Sequence, residues 1–252
     1  MKKIHIKRLQ KRYLVPLLTI VMVVVYLLAA VGYFDVRLRI AHLPWPDNKH
    51  TYSFNSAAPN QKTFVALGDS LTYGFGADTY NDSYTYQVAQ SLAVKNQGVT
   101  LKDYSYPGFT SHDVLGKLDA AIASKPDVVT VLIGVNDTHK LIQPAFAKNY
   151  EQILSRLSRE TKAKIYVISI PYLGTPTVAL PPTNLIYDAR TKANNKQIQA
   201  LARKYGADYI DTYTPTNALF KRGGAQYSKD SYHPSAVGYK VWVDIIELHT
   251  SR

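Results

Sequence analysis

The chain contains no cysteine among its 252 residues, and acidic residues are few, with 18 Asp and Glu against 30 Lys and Arg. The absence of cysteine excludes a disulfide framework, a catalytic cysteine, cysteine-ligated zinc and a lipid anchor on an N-terminal cysteine. A hydrophobic fraction of 46% with 19% charged residues excludes a disordered chain and a polytopic membrane protein. The length is sufficient for one well-buried domain with an appendage.

The excess of positive charge is concentrated at the N-terminus. Residues 1–12 carry six basic residues and no acidic one, which accounts for half of the net charge of +12. Residues 13–34 follow as an uncharged run rich in Leu, Val and Ala, which would form a helix about 33 Å long and span a bilayer. Basic residues beside such a run are typical of the cytoplasmic flank of a membrane segment.

The pattern therefore predicts a basic cytoplasmic tail (1–12) and an uncleaved transmembrane signal-anchor (13–34), with the remainder of the chain outside the cytoplasmic membrane. A cleaved signal peptide is the alternative, since Ala30 and Gly32 supply small residues for a cleavage site, and the protein would then be secreted. The membrane explains the basic tail, so no nucleic-acid partner is expected.

Residues 35–61 have no sustained hydrophobic period and contain Pro44, Pro46 and Pro59. This composition predicts a linker that holds a domain over residues 62–252 away from the membrane.

Within that domain, short apolar runs alternate five times with longer amphipathic ones. The alternation predicts an α/β protein with a five-stranded parallel sheet in a three-layer α/β/α sandwich. The predicted strands are Thr63–Leu67, Thr100–Tyr104, Val128–Ile133, Lys164–Ile170 and Asp208–Ile210, and the predicted helices are Tyr84–Val94, Ser111–Ser124, Lys148–Thr161, Asn184–Tyr205 and Ser235–His249. A capping box of Thr110 and Asp113 is expected at the second helix.

Four polar clusters follow predicted strands or precede the last helix: residues 68–71, 107–111, 134–137 and 230–234. Parallel sheets collect their chemistry at the carboxyl ends of the strands, so these clusters are expected at one edge. Together they offer a hydroxyl, a base, an acid and oxyanion donors, which are the components of a nucleophilic hydrolase.

The segments Gly-Asp-Ser-Leu (68–71), Gly-Val-Asn-Asp (134–137) and Asp-Ser-Tyr-His-Pro (230–234), in this order, resemble the motifs of the SGNH hydrolases, also called GDSL-type lipases and esterases. The resemblance extends over residues 63–249. It implies a flavodoxin-like fold and an esterase activity that needs no cofactor.

The resemblance also assigns roles to individual residues. Ser70 is similar to the nucleophile of the family, His233 to the general base and Asp230 to the acid that orients the base. The oxyanion hole would comprise the backbone N–H groups of Ser70 and Gly108 and the side-chain amide of Asn136. The second motif departs from the usual pattern, since Asp103 and Ser105 stand where the family typically has Asn and Gly.

Four further polar residues lie near the same edge. Asp69 and Asp137 are expected to brace their turns by hydrogen bonds. His112 and His139 have no partners at ligand spacing, so they are expected to be exposed loop residues, and no metal site is predicted.

The substrate is less closely defined than the chemistry. Several of the 20 tyrosines fall near the active edge, and tyrosine both stacks on sugars and lines acyl pockets. Residues 172–183 are expected to form a partly apolar flap, which favours acyl esters such as lysophospholipids or other lipid esters. An esterase for O-acetylated cell-wall glycan and a catalytically silent surface domain that binds glycan or lipid are the alternatives.

Overall fold

The structure is a computed structural model that describes residues 13–27, 45–94, 97–139, 145–172 and 182–250. Residues 13–27 form helix α1, and its side chains are exposed. Four predicted segments lie wholly or partly outside the described residues: the tail (1–12), the end of the membrane segment (28–34), the start of the linker (35–44) and most of the flap (173–181). Among the helices of the described ranges, none is both long enough and apolar enough to cross a membrane.

A mixed sheet forms the centre of the domain, with six strands in the described residues instead of the five that were predicted. The strands are β1 (Thr51–Phe54), β2 (Asn60–Gly68), β3 (Gln97–Asp103), β4 (Val128–Leu132), β5 (Lys164–Ile168) and β6 (Asp208–Ile210). Their order across the sheet is β1-β3-β2-β4-β5-β6. The five predicted strands are all present and pair in parallel.

The prediction of a purely parallel sheet is wrong because β1 pairs antiparallel with β3 at the edge. Only one side of β1 is partly buried, where Tyr52 stacks on Tyr80 with 4.6 Å between ring centroids and Phe54 packs edge-on against Tyr86. A four-residue edge strand with one half-buried face has little of the hydrophobic pattern that identifies a strand. It lies in residues that were assigned to the linker.

Helices cover the sheet in two groups. They are α2 (Ser70–Tyr73), α3 (Tyr84–Leu92), α4 (Ser111–Leu115), α5 (Leu118–Ala123), α6 (Val135–His139), α7 (Phe146–Glu160), α8 (Thr183–Lys204), α9 (Tyr213–Lys221) and α10 (Ala236–Thr250). Helices α3 and α10 contact each other, whereas α4, α5 and α8 contact α7. The connection from β2 to β3 crosses the sheet in one direction, and the connection from β3 to β4 crosses it in the opposite direction, past β2. Because crossovers between parallel strands are right-handed, the two groups of helices lie on opposite faces of the sheet.

The core lies between these layers. Phe64, Val65, Ala66 and Leu67 of β2 are all fully buried, so both faces of this central strand are covered.

The predicted helix over residues 111–124 is divided into α4 and α5 at Gly116-Lys117, because glycine is a poor helix former.

The expected capping box at α4 is confirmed. The Asp113 carboxylate accepts hydrogen bonds from the Thr110 N–H and hydroxyl at 2.8 and 2.7 Å.

Strand order reverses on either side of β2, so the ends of β2 and β4 form the switch point at which α/β sheets place ligands.

Candidate active site

Three parallel strands direct their carboxyl ends to the site. Ser70 follows β2, Gly108 lies in the loop after β3, and Asn136 lies in the first turn of α6 after β4. His233 comes from the loop before α10 and lies beside Ser70. The structure thus brings Ser70 and His233 into contact and places Gly108 and Asn136 after the strands on either side of β2.

The turn after β2 requires glycine before the serine. A Cβ atom at position 68 would lie 2.0 Å from Thr72 Oγ1 and 2.5 Å from the carbonyl oxygen of Leu132, so no larger residue fits. Asp69 then caps α2 by accepting a hydrogen bond from the N–H of Leu71 at 3.0 Å. This places Ser70 at the first position of the helix, with its side chain almost fully buried.

Ser70, His233 and Asp230 form a continuous hydrogen-bonded line. The Nε2 atom of His233 lies 2.9 Å from Ser70 Oγ, and its Nδ1 atom lies 2.5 Å from Asp230 Oδ2. The Asp230 side chain is fully buried, and that of His233 is nearly so. This arrangement allows the imidazole to take a proton from the serine hydroxyl while the carboxylate stabilises the resulting imidazolium.

The second oxygen of Asp230 fixes the loop that carries His233. It accepts hydrogen bonds from the Ser228 hydroxyl at 2.6 Å and from the N–H groups of Tyr232 and His233 at 2.9 Å each. Burial alone would raise the pKa of the Asp230 carboxyl. These hydrogen bonds, with the bond and charge of His233, instead hold that pKa below its ordinary value. The carboxylate is therefore ionised at neutral pH.

Gly108 and Asn136, the other predicted oxyanion donors, lie in the segments that follow β3 and β4. Gly108 has a φ of +88°, and no described atom lies within 4 Å of the position that a Cβ would take. The Asn136 amide donates one hydrogen bond to the carbonyl oxygen of Phe109 at 2.8 Å, which joins the loop after β3 to that after β4. An amide nitrogen carries two N–H donors, so this bond orients the group and leaves the second donor for a ligand.

Asp137 joins the same two loops. Its carboxylate accepts hydrogen bonds from the N–H and hydroxyl of Ser111, at 2.8 and 2.7 Å. Asp69 and Asp137 thus brace the backbone as expected. Burial raises the pKa of the Asp69 carboxyl to about 7, because hydrogen bonds from the backbone only partly compensate for the loss of water.

The two other histidines differ in environment. His112 is exposed as expected, although it lies in α4 and not in a loop. The expectation that His139 is an exposed loop residue is wrong. His139 ends α6, is partly buried, and packs against Tyr187 and Tyr232 with centroids 4.5 and 5.6 Å apart. Burial lowers the pKa of its imidazole to about 4. In the described ranges no group of His, Asp and Glu is arranged to hold a metal ion.

Asp103 and Ser105, which depart from the usual second motif, are both buried and bonded to each other. The N–H and hydroxyl of Ser105 donate to one oxygen of the Asp103 carboxylate, and Asn48 Nδ2 and the Tyr80 hydroxyl donate to the other, each at 2.8 Å. A carboxylate is the side chain able to accept four such bonds. The sequence contained no signal for this network because Asn48 lies 55 positions before its partner.

Sequence reasoning also missed a group of rings beside the triad. Phe75 packs on the His233 imidazole with 4.7 Å between centroids, and Trp45 packs on Phe75 at 5.9 Å. Trp45 lies in the predicted linker, and its proximity to the site depends on tertiary contacts alone.

Comparisons with known proteins identify relatives of this chain. The chain is 28% identical over 211 residues to an acetylxylan esterase of Xylanibacter ruminicola, covering 72% of this chain but 42% of that protein. It is 26% identical over 201 residues to the spore germination lipase LipC of Bacillus licheniformis, covering 70% of this chain and 91% of the relative. This chain therefore spans less than half the length of the first relative.

Solved structures show the same fold. The crystal structure of a lipase/acylhydrolase from Enterococcus faecalis superposes with a TM-score of 0.58 at 21% identity, over 75% of this chain and 94% of that chain. The model of the GDSL-like lipase/acylhydrolase family matches residues 66–241, which include the turn at Ser70, the loops at Gly108 and Asn136, and the Asp230–His233 segment. With this match over more than half of its length, the chain belongs to the GDSL-like lipase/acylhydrolase family.

Proposed function

We propose that this chain is a serine ester hydrolase that cleaves carboxylic esters through an acyl-enzyme on Ser70. The observation that carries the proposal is the buried hydrogen-bonded line from Asp230 through His233 to the Ser70 hydroxyl. A hydroxyl is a weak nucleophile at neutral pH, and a neighbouring base is what activates it. A domain that only binds its ligand has no need of this line.

The residues account for both halves of the reaction. Ser70 Oγ attacks the ester carbonyl carbon while His233 Nε2 takes the hydroxyl proton, and the proton passes to the alcohol when its C–O bond breaks. Water then attacks the acyl group on Ser70, giving its proton to His233. Cleavage of the acyl–Oγ bond releases the carboxylic acid, and the proton returns to Ser70.

In this proposal, the charge that develops on the carbonyl oxygen is stabilised by three donors. They are the backbone N–H groups of Ser70 and Gly108 and the second N–H of the Asn136 amide. The Ser70 N–H lies in the first turn of α2, where helical N–H groups have no partner within the helix. Preorganised donors of this kind usually provide the largest single part of the rate enhancement.

Acyl esters of saccharides are the substrate class that we place first. The related acetylxylan esterase supports this class, as do the exposed rings of Trp45 and Tyr106 near the triad. Lipid esters such as lysophospholipids, which the sequence analysis placed first, are the second candidate. They are favoured by the lipase among the relatives and by exposed Leu185 and Ile186 at the start of α8.

We further propose that residues 13–34 anchor the protein in the cytoplasmic membrane, with the N-terminus inside and the catalytic domain outside. The apolar run behind six basic residues supports this orientation. Protease added to intact spheroplasts should then degrade the domain, and the N-terminal sequence of the membrane-bound protein should begin at residue 1 or 2. A mature N-terminus near residue 33 would instead identify a cleaved signal peptide.

The activity is tested by the hydrolysis of p-nitrophenyl esters from acetyl to palmitoyl with the full-length chain. Hydrolysis is expected to disappear in Ser70→Ala and to persist in Ser91→Ala, an exposed serine of α3 that serves as the matched control. Equal activity of Ser70→Ala and wild type would contradict the proposal. No hydrolysis by a folded wild-type protein would favour the binding-domain alternative.

A further inference from the structure

Two exposed aromatic rings, Trp45 and Tyr106, form what we call the aromatic rim of the site. Their centroids lie 5.4 Å apart, and the rings are inclined at 65°. Trp45 is 51% exposed and Tyr106 is 44% exposed, although most large hydrophobic side chains described in the catalytic domain are buried. Large rings exposed side by side next to a catalytic group are typical of a binding surface.

On each side, one intervening residue connects the aromatic rim to the candidate catalytic residues. On one side, Trp45 packs edge-on against Phe75, whose ring lies 4.7 Å from that of His233. On the other side, Tyr106 packs on Phe109 at 5.6 Å, and the carbonyl of Phe109 holds the Asn136 amide. A ligand group resting on the rim is therefore close to the reacting ester.

The segment that carries Trp45 is held in place by buried hydrogen bonds. Asn48 donates to the buried Asp103 carboxylate at 2.8 Å and accepts from the N–H of His50 at 2.7 Å. The backbone N–H of Asp103 donates to the carbonyl of His50 at 2.9 Å. The position of Trp45 thus depends on Asp103, at which the second motif departs from its usual pattern.

We propose that the aromatic rim binds a pyranose ring of the substrate, so that the ester cleaved by Ser70 joins an acyl group to a saccharide oxygen. This inference rests on the proposed function, because it names the substrate class of the same site. A pyranose has one apolar C–H face, which stacks on an aromatic ring, and a hydroxyl periphery, which remains in water.

The partial exposure of the rim favours a sugar over an acyl chain. A fatty acyl chain is stabilised by removing its whole surface from water, which requires an enclosed apolar pocket. Trp45 and Tyr106 each keep about half of their surface in water, so they offer an open platform. The contact from the rim through Phe75 also leads to His233, the residue that returns a proton to the departing alcohol in the proposed mechanism. The alcohol portion of the ester is therefore the portion expected on the rim.

The test compares O-acetylated xylotriose with ethyl acetate, whose alcohol has no ring, by measuring acetate release from the full-length protein. The double variant Trp45→Ala/Tyr106→Ala is expected to lower the ratio of kcat/KM for the saccharide ester over ethyl acetate by at least about tenfold, mainly through KM. The matched variants Trp45→Phe and Tyr106→Phe keep a ring and should retain most of the ratio. Leu248→Ala, an exposed apolar residue near the end of α10, should leave the ratio unchanged.

An unchanged ratio in the double alanine variant would overturn the inference. A larger loss on palmitoyl lysophosphatidylcholine than on the saccharide ester would also overturn it, since the rim would then bind lipid. A third outcome is that wild-type protein cleaves ethyl acetate in a Ser70-dependent reaction and cleaves acetylated xylotriose no faster. That result would reject the sugar subsite and leave the proposed esterase activity intact. The proposed esterase function would fail in a distinguishable way, because no ester would then be hydrolysed in a Ser70-dependent reaction.

Discussion

The Nε2 atom of His233 lies 2.9 Å from the hydroxyl oxygen of Ser70, although the two residues are 163 positions apart in the chain. Residues that act as one unit in catalysis have strongly non-additive effects when removed. Ser70→Ala and His233→Ala are each expected to lower kcat by at least about 10³-fold, and the double variant should be no slower than the slower single variant.

The measurement is the initial rate on p-nitrophenyl acetate for the two single variants and the double variant. His112→Ala is the matched control, because this histidine is exposed on α4, and it should retain the wild-type rate. Multiplicative losses in the double variant would mean that the two residues act independently.

Asn136 is expected to act on the transition state more than on substrate binding. Asn136→Ala removes one oxyanion donor, so kcat should fall by about 10²–10³-fold while KM changes little. Steady-state kinetics on p-nitrophenyl acetate separates the two parameters. Asn194→Ala is the control, since this amide of α8 donates to the Thr138 hydroxyl and should not affect kcat. A rise in KM at constant kcat would indicate a role in binding alone.

Replacement of Asp103 by asparagine should destabilise the fold. The buried carboxylate accepts four hydrogen bonds, and an amide would present an NH₂ group to two of the donors. Unpaired buried donors cost about 1–3 kcal/mol, so urea unfolding of Asp103→Asn should show a loss of this size. The exposed Asp244→Asn, which loses a surface ion pair with Lys240, should lose less than about 1 kcal/mol. Equal losses in the two variants would contradict the assigned role.

Asp69 makes a specific contribution to the pH dependence of stability. Its pKa is raised by burial to about 7 in the folded protein from an ordinary value of 3.8, so the folded state keeps this proton over a pH range in which the unfolded state releases it. The stabilisation is fully present below about pH 4 and is lost as the pH rises to about 7.

The free energy of unfolding of wild type relative to Asp69→Asn should therefore fall as the pH rises from 4 to 7, with a slope of at most about 1.4 kcal/mol per pH unit. Denaturant titrations of both proteins at several pH values measure this difference. A difference that stays constant, or that rises with pH, would be inconsistent with a raised pKa at Asp69.

The parallel strands and the selection of site residues were predictable because their signals are local. Buried strands such as β2 consist of continuous apolar residues, and each polar cluster directly follows a strand or precedes a helix. The rule that parallel strands present their carboxyl ends at one edge then brings clusters far apart in the chain to the same place. The capping box of Thr110 and Asp113 was predictable for the same reason, since its partners are three residues apart.

The antiparallel strand β1, the burial of His139 and the position of Trp45 have no comparable local signal. β1 has one half-buried face and takes its partner from β3, about 50 positions along the chain. His139 is partly buried because Tyr187 and Tyr232 come to it from distant segments.

The amino-acid sequence alone was enough to predict the α/β class and the succession of parallel strands along the chain, since short-range periodicity encodes them. The candidate residues for ester chemistry came from short local motifs that resemble those of the SGNH hydrolases. The folded chain was needed to show which residues surround that chemistry. Asn48 reaches Asp103 and so places Trp45 beside Phe75 and the triad. Such contacts depend on packing between segments distant in sequence, and that packing arises only when the hydrophobic core brings them together.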